Sequence, residues 1–305
     1  MEELRRQLTE DLTDLLQGEL RVDDVTTALY ATDASLYEIR PAAVVFPKST
    51  DDVAVLAAYA SDQQIPLIAR GGGTGLAGGC LGSGIVIDFS RYMNGVVRTG
   101  ADTVRVQPGI THHALNAFLR SCGRCFAPDP STTLVTTIGG MIGVDAAGSR
   151  AFRVGSTRDH VQSLQTVVMG GQILELGRMS ARREFAIRQP VTGLPDPDLP
   201  SRRGRIVPPV RNETLKLTSL TPATRQHDII ERLSALLADS SDLIRRHQPP
   251  LLRNSCGYML RGVLQRDMLN MPRLLTGSEG TLGLVTEVTL HTLPVEEHRG
   301  TMVLM

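Results

Sequence analysis

An α+β protein of two lobes is the fold class the sequence predicts, and three observations carry that expectation. Short apolar strands are interleaved with amphipathic helices in no regular alternation, glycine is gathered into a few runs instead of being spread, and no segment repeats. At 305 residues the chain is long enough for two domains or for one large domain with lobes.

The elements follow in order. Leu4, Leu8, Leu12, Leu15 and Leu16 recur at helical spacing, which predicts a helix over residues 2–17 ended by a left-handed Gly18. Ala42–Phe46 reads as a strand before Pro47. Ser49, Thr50 and Asp51 offer caps for a helix over Asp52–Gln63, with Val53, Leu56, Ala57 and Ala60 on one face. Pro66–Arg70 is the next strand, so residues 42–70 form a β-α-β unit, and Gly84–Asp88 adds another strand. Thr103–Gln107 alternates like a half-buried strand. Thr111 caps a helix running to Ser121, with Leu115, Phe118 and Leu119 inward. The cluster Thr136–Ser149 is too glycine-rich for a stable helix throughout and too long for a turn. Gly170-Gly171 supplies the positive φ that joins Val161–Met169 to Gln172–Leu176 as a hairpin. Residues 177–225, rich in Pro and Arg, read as an excursion; a helix follows over about 225–247, and Leu282–Leu290 is the last strand.

Charge excludes some functions. The 32 basic residues equal the 32 acidic ones, so nothing marks a surface for nucleic acid or an acidic membrane. Tryptophan is absent and aromatics are few, which argues against a stacking platform for single strands. No run approaches the roughly 18 apolar residues of a membrane span, and Met1-Glu-Glu-Leu-Arg-Arg has acids where a secretory leader starts basic. Four cysteines make no disulfide framework. The expected location is the cytoplasm, with peripheral attachment to the inner face of the membrane as a variant.

The glycines carry the chemistry. Gly73-Thr-Gly75-Leu-Ala-Gly78 fits the G-x-G-x-x-G dinucleotide pattern, but Gly78, Gly79, Gly82 and Gly84 continue the run into a strand, leaving no room for the helix a Rossmann unit requires. What remains is a loop between strands whose successive amides can turn toward one point and hold an anion. Glycine permits both the close approach and the positive φ such a loop needs.

Arg70-Gly-Gly-Gly-Thr-Gly75 resembles the pyrophosphate loop of the FAD-linked oxidases of the p-cresol methylhydroxylase and vanillyl-alcohol oxidase type. Ala127-Pro-Asp-Pro-Ser131 followed by Thr137-Ile-Gly-Gly-Met-Ile-Gly143 looks like the family's second flavin-contacting loop, continued by Gly155–Val161. Thr276-Gly-Ser-Glu-Gly-Thr-Leu-Gly-Leu-Val-Thr286 is similar to its closing strand on the adenine side, and Pro41–Pro47 matches its opening strand. The likeness runs over roughly residues 30–295. The branch resembled is that of the D-2-hydroxyacid dehydrogenases acting on D-lactate, glycolate or D-2-hydroxyglutarate. Asn254-Ser-Cys-Gly-Tyr258 and the Arg/Pro insertion look most like members fused to an iron–sulfur domain.

The resemblance implies an α+β, two-lobed FAD-binding domain that takes a hydride from a small 2-hydroxyacid and passes electrons to an iron–sulfur domain or subunit. It implies cofactor contacts at Arg70, Gly71, Gly72, Gly73, Thr74, Gly75 and Leu76, at Pro128, Asp129, Ser131, Thr137, Gly140, Gly143 and Gly148, and at Glu279, Gly280 and Val285. It divides the chain into an N-terminal helical segment (1–37), a first lobe (38–100), a second lobe (101–295, with an insertion at about 177–270) and the start of a cap domain (296–305) that is otherwise missing. The catalytic base belongs to that cap, so no catalytic residue is assigned. Covalent members carry histidine where this loop has Thr74, so FAD is expected to be non-covalent. Where the family has Asn-Asn-Ser-Gly, this chain has Val144-Asp-Ala-Ala-Gly148, and Asp145 is expected to bring a negative charge that weakens the flavin contact. Two rivals stay open: a non-catalytic FAD-binding electron-transfer subunit, and a nicotinamide-dependent Rossmann enzyme.

Other constellations read more plainly. Cys122-Gly-Arg-Cys125 has redox-pair spacing without a second pair, and no metal spacing appears. His112-His113 reads as a solvated pair, while Arg158, Asp159 and His160 stand between a salt-bridge role and a cofactor role. Arg182-Arg183-Glu184 and Arg202-Arg203 read as solvated faces, and Arg245-Arg246-His247 suits a helix C-terminus.

Overall fold

Leucines at helical spacing open the fold. Helix α1 (Glu2–Leu12) buries Leu8 and Leu12, and Leu16 follows them inside after the helix has ended. The helix stops short of the expected residue 17, and Gly18 caps nothing. A Cβ there would lie 2.3 Å from the carbonyl oxygen of Phe46, so glycine is needed because a strand passes against it. The computed structural model describes residues 1–180, 222–248 and 257–296.

The first sheet is short and mostly parallel. Strand β1 (Glu19–Arg21) leads through α2 (Asp24–Leu29) to β2 (Ala43–Phe46), with which it pairs antiparallel. Helix α3 (Thr50–Asp62) starts where the Ser49 hydroxyl accepts the Asp52 N–H at 3.2 Å. Strands β3 (Leu67–Arg70) and β4 (Ile85–Asp88) complete the order β1-β2-β4-β3, with β2 and β3 each parallel to β4. The expected β-α-β unit is present, and the glycine run leaves edge strand β3 and returns to an interior strand. The N-terminal segment belongs to this lobe, because β1 pairs with β2 and α1 shares its core.

The second sheet is antiparallel throughout. It begins with β5 (Val96–Thr99) and β6 (Thr103–Val106), so a lobe boundary at residue 100 would cut a hairpin. Then come α4 (His112–Ser121), β7 (Arg124–Cys125), α5 (Ile138–Val144), α6 (Ala151–Val154), a 3₁₀ turn (Thr157–Asp159) and the hairpin β8 (Val161–Val167) with β9 (Ile173–Leu176). Gly170 and Gly171 have φ +84° and +79° as the hairpin requires. Beyond it lie β10 (Arg178–Ser180), α7 (Pro222–Asp239), α8 (Ser241–His247), β11 (Leu264–Gln265), β12 (Met268–Asn270), α9 (Met271–Leu275), β13 (Leu284–His291) and β14 (Leu293–Pro294). The order is β5-β6-β13-β8-β9, with small side sheets β10-β12-β11 and β14-β7. Burial alternates strictly along β13, with Leu284, Thr286, Val288 and Leu290 inside.

Three local expectations are corrected. Thr111 does cap α4, accepting the Ala114 N–H at 3.1 Å, but Phe118 faces outward at 38% exposure while Leu115 and Leu119 are buried. The helix expected over 225–247 breaks at Ser240 into α7 and α8. The excursion does not start at 177, since β10 pairs with β12 first. Residues 181–221, 249–256 and 297–305 lie outside the described residues, and with them the runs at Arg182 and Arg202, Asn254–Cys256 and the expected cap strand. Among the described residues no helix is long and apolar enough to cross a membrane.

Helix α3 joins the lobes. Its Val53, Ala54, Leu56 and Ala57 share one apolar cluster with Ile85 and Ile87 of the first sheet and Val167 and Leu284 of the second. The Thr50 hydroxyl donates to Gln165 Oε1 at 2.9 Å across the same seam. Buried Asp52 accepts the Gln17 and Lys48 amides at 2.8 Å each, which ties the N-terminal segment to the start of α3.

Candidate functional site

The glycine run after β3 forms an exposed rim where the two lobes meet. Arg70 packs against it, with Nη2 2.9 Å from where a Gly73 Cβ would be. The Arg70 guanidinium lies 4.9 Å from the centre of the Tyr30 ring and donates to the Tyr30 and Thr32 carbonyls at 3.2 and 2.7 Å. The segment it braces returns a contact, as the Ala34 N–H donates to the Gly73 carbonyl at 2.9 Å. Across the lobe boundary a Cβ on Gly72 would stand 2.3 Å from the Val135 carbonyl oxygen, and one on Gly71 would stand 2.2 Å from Thr137 Oγ1. The loop is therefore seated closely on the second lobe, Gly72 on backbone and Gly71 on the Thr137 side chain, which only glycine allows. Among the described residues, none of the amides from Gly72 to Gly79 donates to a protein acceptor. Cys80 at the end of the loop donates to Asp33 at 3.3 Å. Burial and then this bond push its pKa up to about 11, so it adds no negative charge there.

The second loop is rooted in a buried polar network. Phe126 N–H donates to Asn116 Oδ1 at 2.8 Å, and Asn116 Nδ2 donates to the Phe126 carbonyl at 3.2 Å. With the amide so fixed, Asn116 Nδ2 also donates to His112 Nε2 at 2.9 Å, which leaves Nδ1–H to donate to Thr133. His112 is thus a buried neutral imidazole, not half of a solvated pair; His113 is the exposed member. Burial holds its pKa below the ordinary 6.5. The unfolded chain therefore takes up a proton first, and stability falls as pH drops below about 6.5 until the folded value is passed. Urea unfolding at about pH 7.5 and about pH 5.5 should show a stability difference that shrinks in His112→Gln; an unchanged difference would count against this assignment.

From this root Asp129 pairs with Arg150 at 2.8 Å, while its other oxygen, Oδ1, is buried with no partner. Gly148 lies so close to Asp129 that a Cβ would stand 2.1 Å from its backbone carbonyl oxygen and 2.3 Å from Oδ1. Thr137 caps α5, accepting the Gly140 N–H at 3.1 Å, so the first half of the small-residue cluster is helical after all.

The closing motif docks on the end of α5. The Gly277 and Glu279 amides donate to the Ile142 and Gly143 carbonyls at 2.8 and 2.9 Å. Asp145, left-handed at φ +50°, and Arg158 form a buried ion pair at 3.0 Å. The expected negative charge is therefore neutralised inside the protein. Asp159 Oδ2 accepts the Ser156 N–H at 2.9 Å, and His160 donates to the Val154 carbonyl at 2.8 Å, so all three members of the charged triplet are spent on structure.

Comparison with known proteins now bears on this geometry. The family described as an FAD binding domain matches residues 41–177, which contain both the amide-lined loop and the second loop. Residues 41–177 are an FAD binding domain. A D-2-hydroxyglutarate dehydrogenase of Pantoea ananatis is 35% identical over 276 residues, covering 88% of this chain and 24% of that protein. Glycolate oxidase subunit GlcD of Bacillus subtilis is 32% identical over 184 residues, covering 57% of this chain and 39% of that one. The solved structure of an alkyldihydroxyacetonephosphate synthase shares the fold, with a TM-score of 0.60 at 20% identity, covering 98% of this chain and 41% of that one. The chain spans about a quarter of the length of the D-2-hydroxyglutarate dehydrogenases it matches.

The residues present fit FAD. A row of amides without acceptors among the described residues suits a pyrophosphate, and Asp129 Oδ1, without a partner among them, suits a donor on the cofactor. The structure brings Gly71 against Thr137 and Gly140 and Gly72 against Val135, while Gly73, Thr74 and Gly75 follow them along the open loop; Gly143 lies against Glu279, which reaches within 3.5 Å of where a Gly79 Cβ would be. Gly280 faces Ala69, while Leu76 and Ser131 are exposed and Pro128 is buried beside Asp129. Val285 stands apart, paired with Thr166 in β13 and packed on the second-lobe core. Sequence reasoning missed the brace Tyr30–Ala34 beside the loop and the Asp145–Arg158 pair. Neither has a local signal, since both are made by residues distant in the chain.

Proposed function

We propose that the chain is the FAD-binding part of a dehydrogenase that oxidises a D-2-hydroxyacid of the D-2-hydroxyglutarate, D-lactate or glycolate type. The observation that carries this is the loop of acceptor-free amides at the lobe junction; the substrate class rests on the names of the relatives. FAD, when bound, supplies the hydride acceptor. This chain's own residues hold and orient it. The amides of Gly71–Leu76 grip the pyrophosphate, each such bond to a charged acceptor being worth about 1.5–3 kcal/mol. Arg70 positions that loop through the Tyr30–Thr32 backbone. Pro128, Asp129, Ser131, Thr137, Gly140, Gly143 and Gly148 serve the flavin side, and Glu279, Gly280 and the Val285 backbone the adenine side. Thr74 offers no ring nitrogen for a covalent link, so FAD is held non-covalently. Electrons leave to an iron–sulfur domain or subunit on the cytoplasmic side.

Protein purified with FAD and freed of excess should be yellow, and acid should leave a white pellet under a yellow supernatant. Anaerobic addition of D-2-hydroxyglutarate, D-lactate or glycolate should bleach the flavin. A colourless protein that takes up no FAD overturns the proposal, and bleaching by any of the three hydroxyacids excludes the electron-transfer subunit.

A further inference from the structure

The carboxylate of Asp145 and the guanidinium of Arg158 are 3% and 5% exposed. Asp145 Oδ1 accepts the Arg158 N–H at 2.9 Å and Oδ2 accepts Nη1–H at 3.0 Å. The free edge of the guanidinium then donates from Nε and Nη2 to the Thr276 carbonyl at 3.2 and 2.7 Å. One residue on, Gly277 has φ +93°, and a Cβ there would stand 2.7 Å from Arg158 Nη2, so no side chain fits between the arginine and the turn. The Gly277 and Glu279 amides complete the attachment on the Ile142 and Gly143 carbonyls. Thr276–Gly280 is thereby pinned at the α5 terminus, with Glu279 aimed at the rim of the loop near Gly79 and Gly280 against Ala69.

A buried ion pair is a poor way to gain stability, since well-packed apolar side chains of the same volume do as well or better. Its strength is geometric, because a planar guanidinium fixed by a carboxylate on one edge presents its other edge in one direction. We infer that the Asp145–Arg158 pair is a positioning device for the cofactor: it holds the closing turn over the amide-lined loop and so sets the affinity for FAD without touching it. This rests on the reading that FAD fills the site.

The test is FAD binding by the whole chain, followed by fluorescence quenching and by circular dichroism of the bound flavin. Asp145→Asn keeps the shape and removes the charge; Arg158→Lys keeps the charge and removes the fork. Each should raise the Kd for FAD roughly tenfold or more and alter the flavin dichroism. Leu8→Ala, in the core behind the first sheet, serves as a control for general destabilisation and should leave the Kd within about twofold. A wild-type Kd in either folded variant overturns the inference. Should both variants fail to fold, hydrogen exchange on the wild-type protein decides: FAD must protect the amides of Thr276–Gly280, and their lack of protection overturns it equally. Wild-type protein that binds no FAD sinks the parent reading instead.

Discussion

Arg158→Met should unfold about 3–5 kcal/mol more easily than the wild-type protein, because it leaves the Asp145 carboxylate buried without its counter-charge. Three bonds go at once: the ion pair at 3.0 Å and both donations to the Thr276 carbonyl. The Asp145→Leu/Arg158→Met double variant should regain only part of the loss, since it removes the buried charge but leaves the residue-158 amide and the Thr276 carbonyl without those partners and puts a leucine at φ +50°. Urea unfolding of the three proteins measures this directly. A single-variant loss under about 1 kcal/mol would mean that water reaches Asp145 and that the pair is not the closed unit described.

The second large effect separates two glycines of one loop. Gly72→Ala places a methyl group 2.3 Å from the Val135 carbonyl oxygen and 3.0 Å from its carbon, and both partners are backbone. The loop must lift off the second lobe, at about 1–3 kcal/mol of stability, and its amides move with it. Gly75→Ala meets nothing within 4 Å. Its melting temperature should match the wild type, yet its FAD content after gel filtration should fall, because the open side of Gly75 is where the cofactor approaches. If Gly75→Ala retains FAD as the wild type does, the pyrophosphate does not lie against that residue.

What could be read from the sequence was what neighbouring residues decide among themselves. Ser49 and Thr111 each precede their helices as capping residues, and in each case the hydroxyl accepts the amide three positions on; Thr137 does the same for α5, but the glycines after it hide that helix. The amphipathic period of α3 and the Gly170-Gly171 turn are of the same local kind. Gly18 was misread because its reason lies at Phe46, on a strand far along the chain. The exposure of Phe118 likewise depends on what packs against α4, which the period alone does not contain. The site divides along the same line: the glycine loop announces itself, whereas Asp145 looks like a defect until Arg158 is found beside it in space. His112 is similar, since a histidine at a helix start reads as wet until Asn116 and Thr133 close around it.

Helix α3 carries a consequence for how the molecule comes apart. A core element that serves two sheets makes each half the solvent shield of the other, as Val167 and Leu284 of one half lie against Val53 and Leu56 from the other. Heating should produce one cooperative transition with a single midpoint, and a polypeptide severed near Gly95 would yield pieces that find structure only in each other's company.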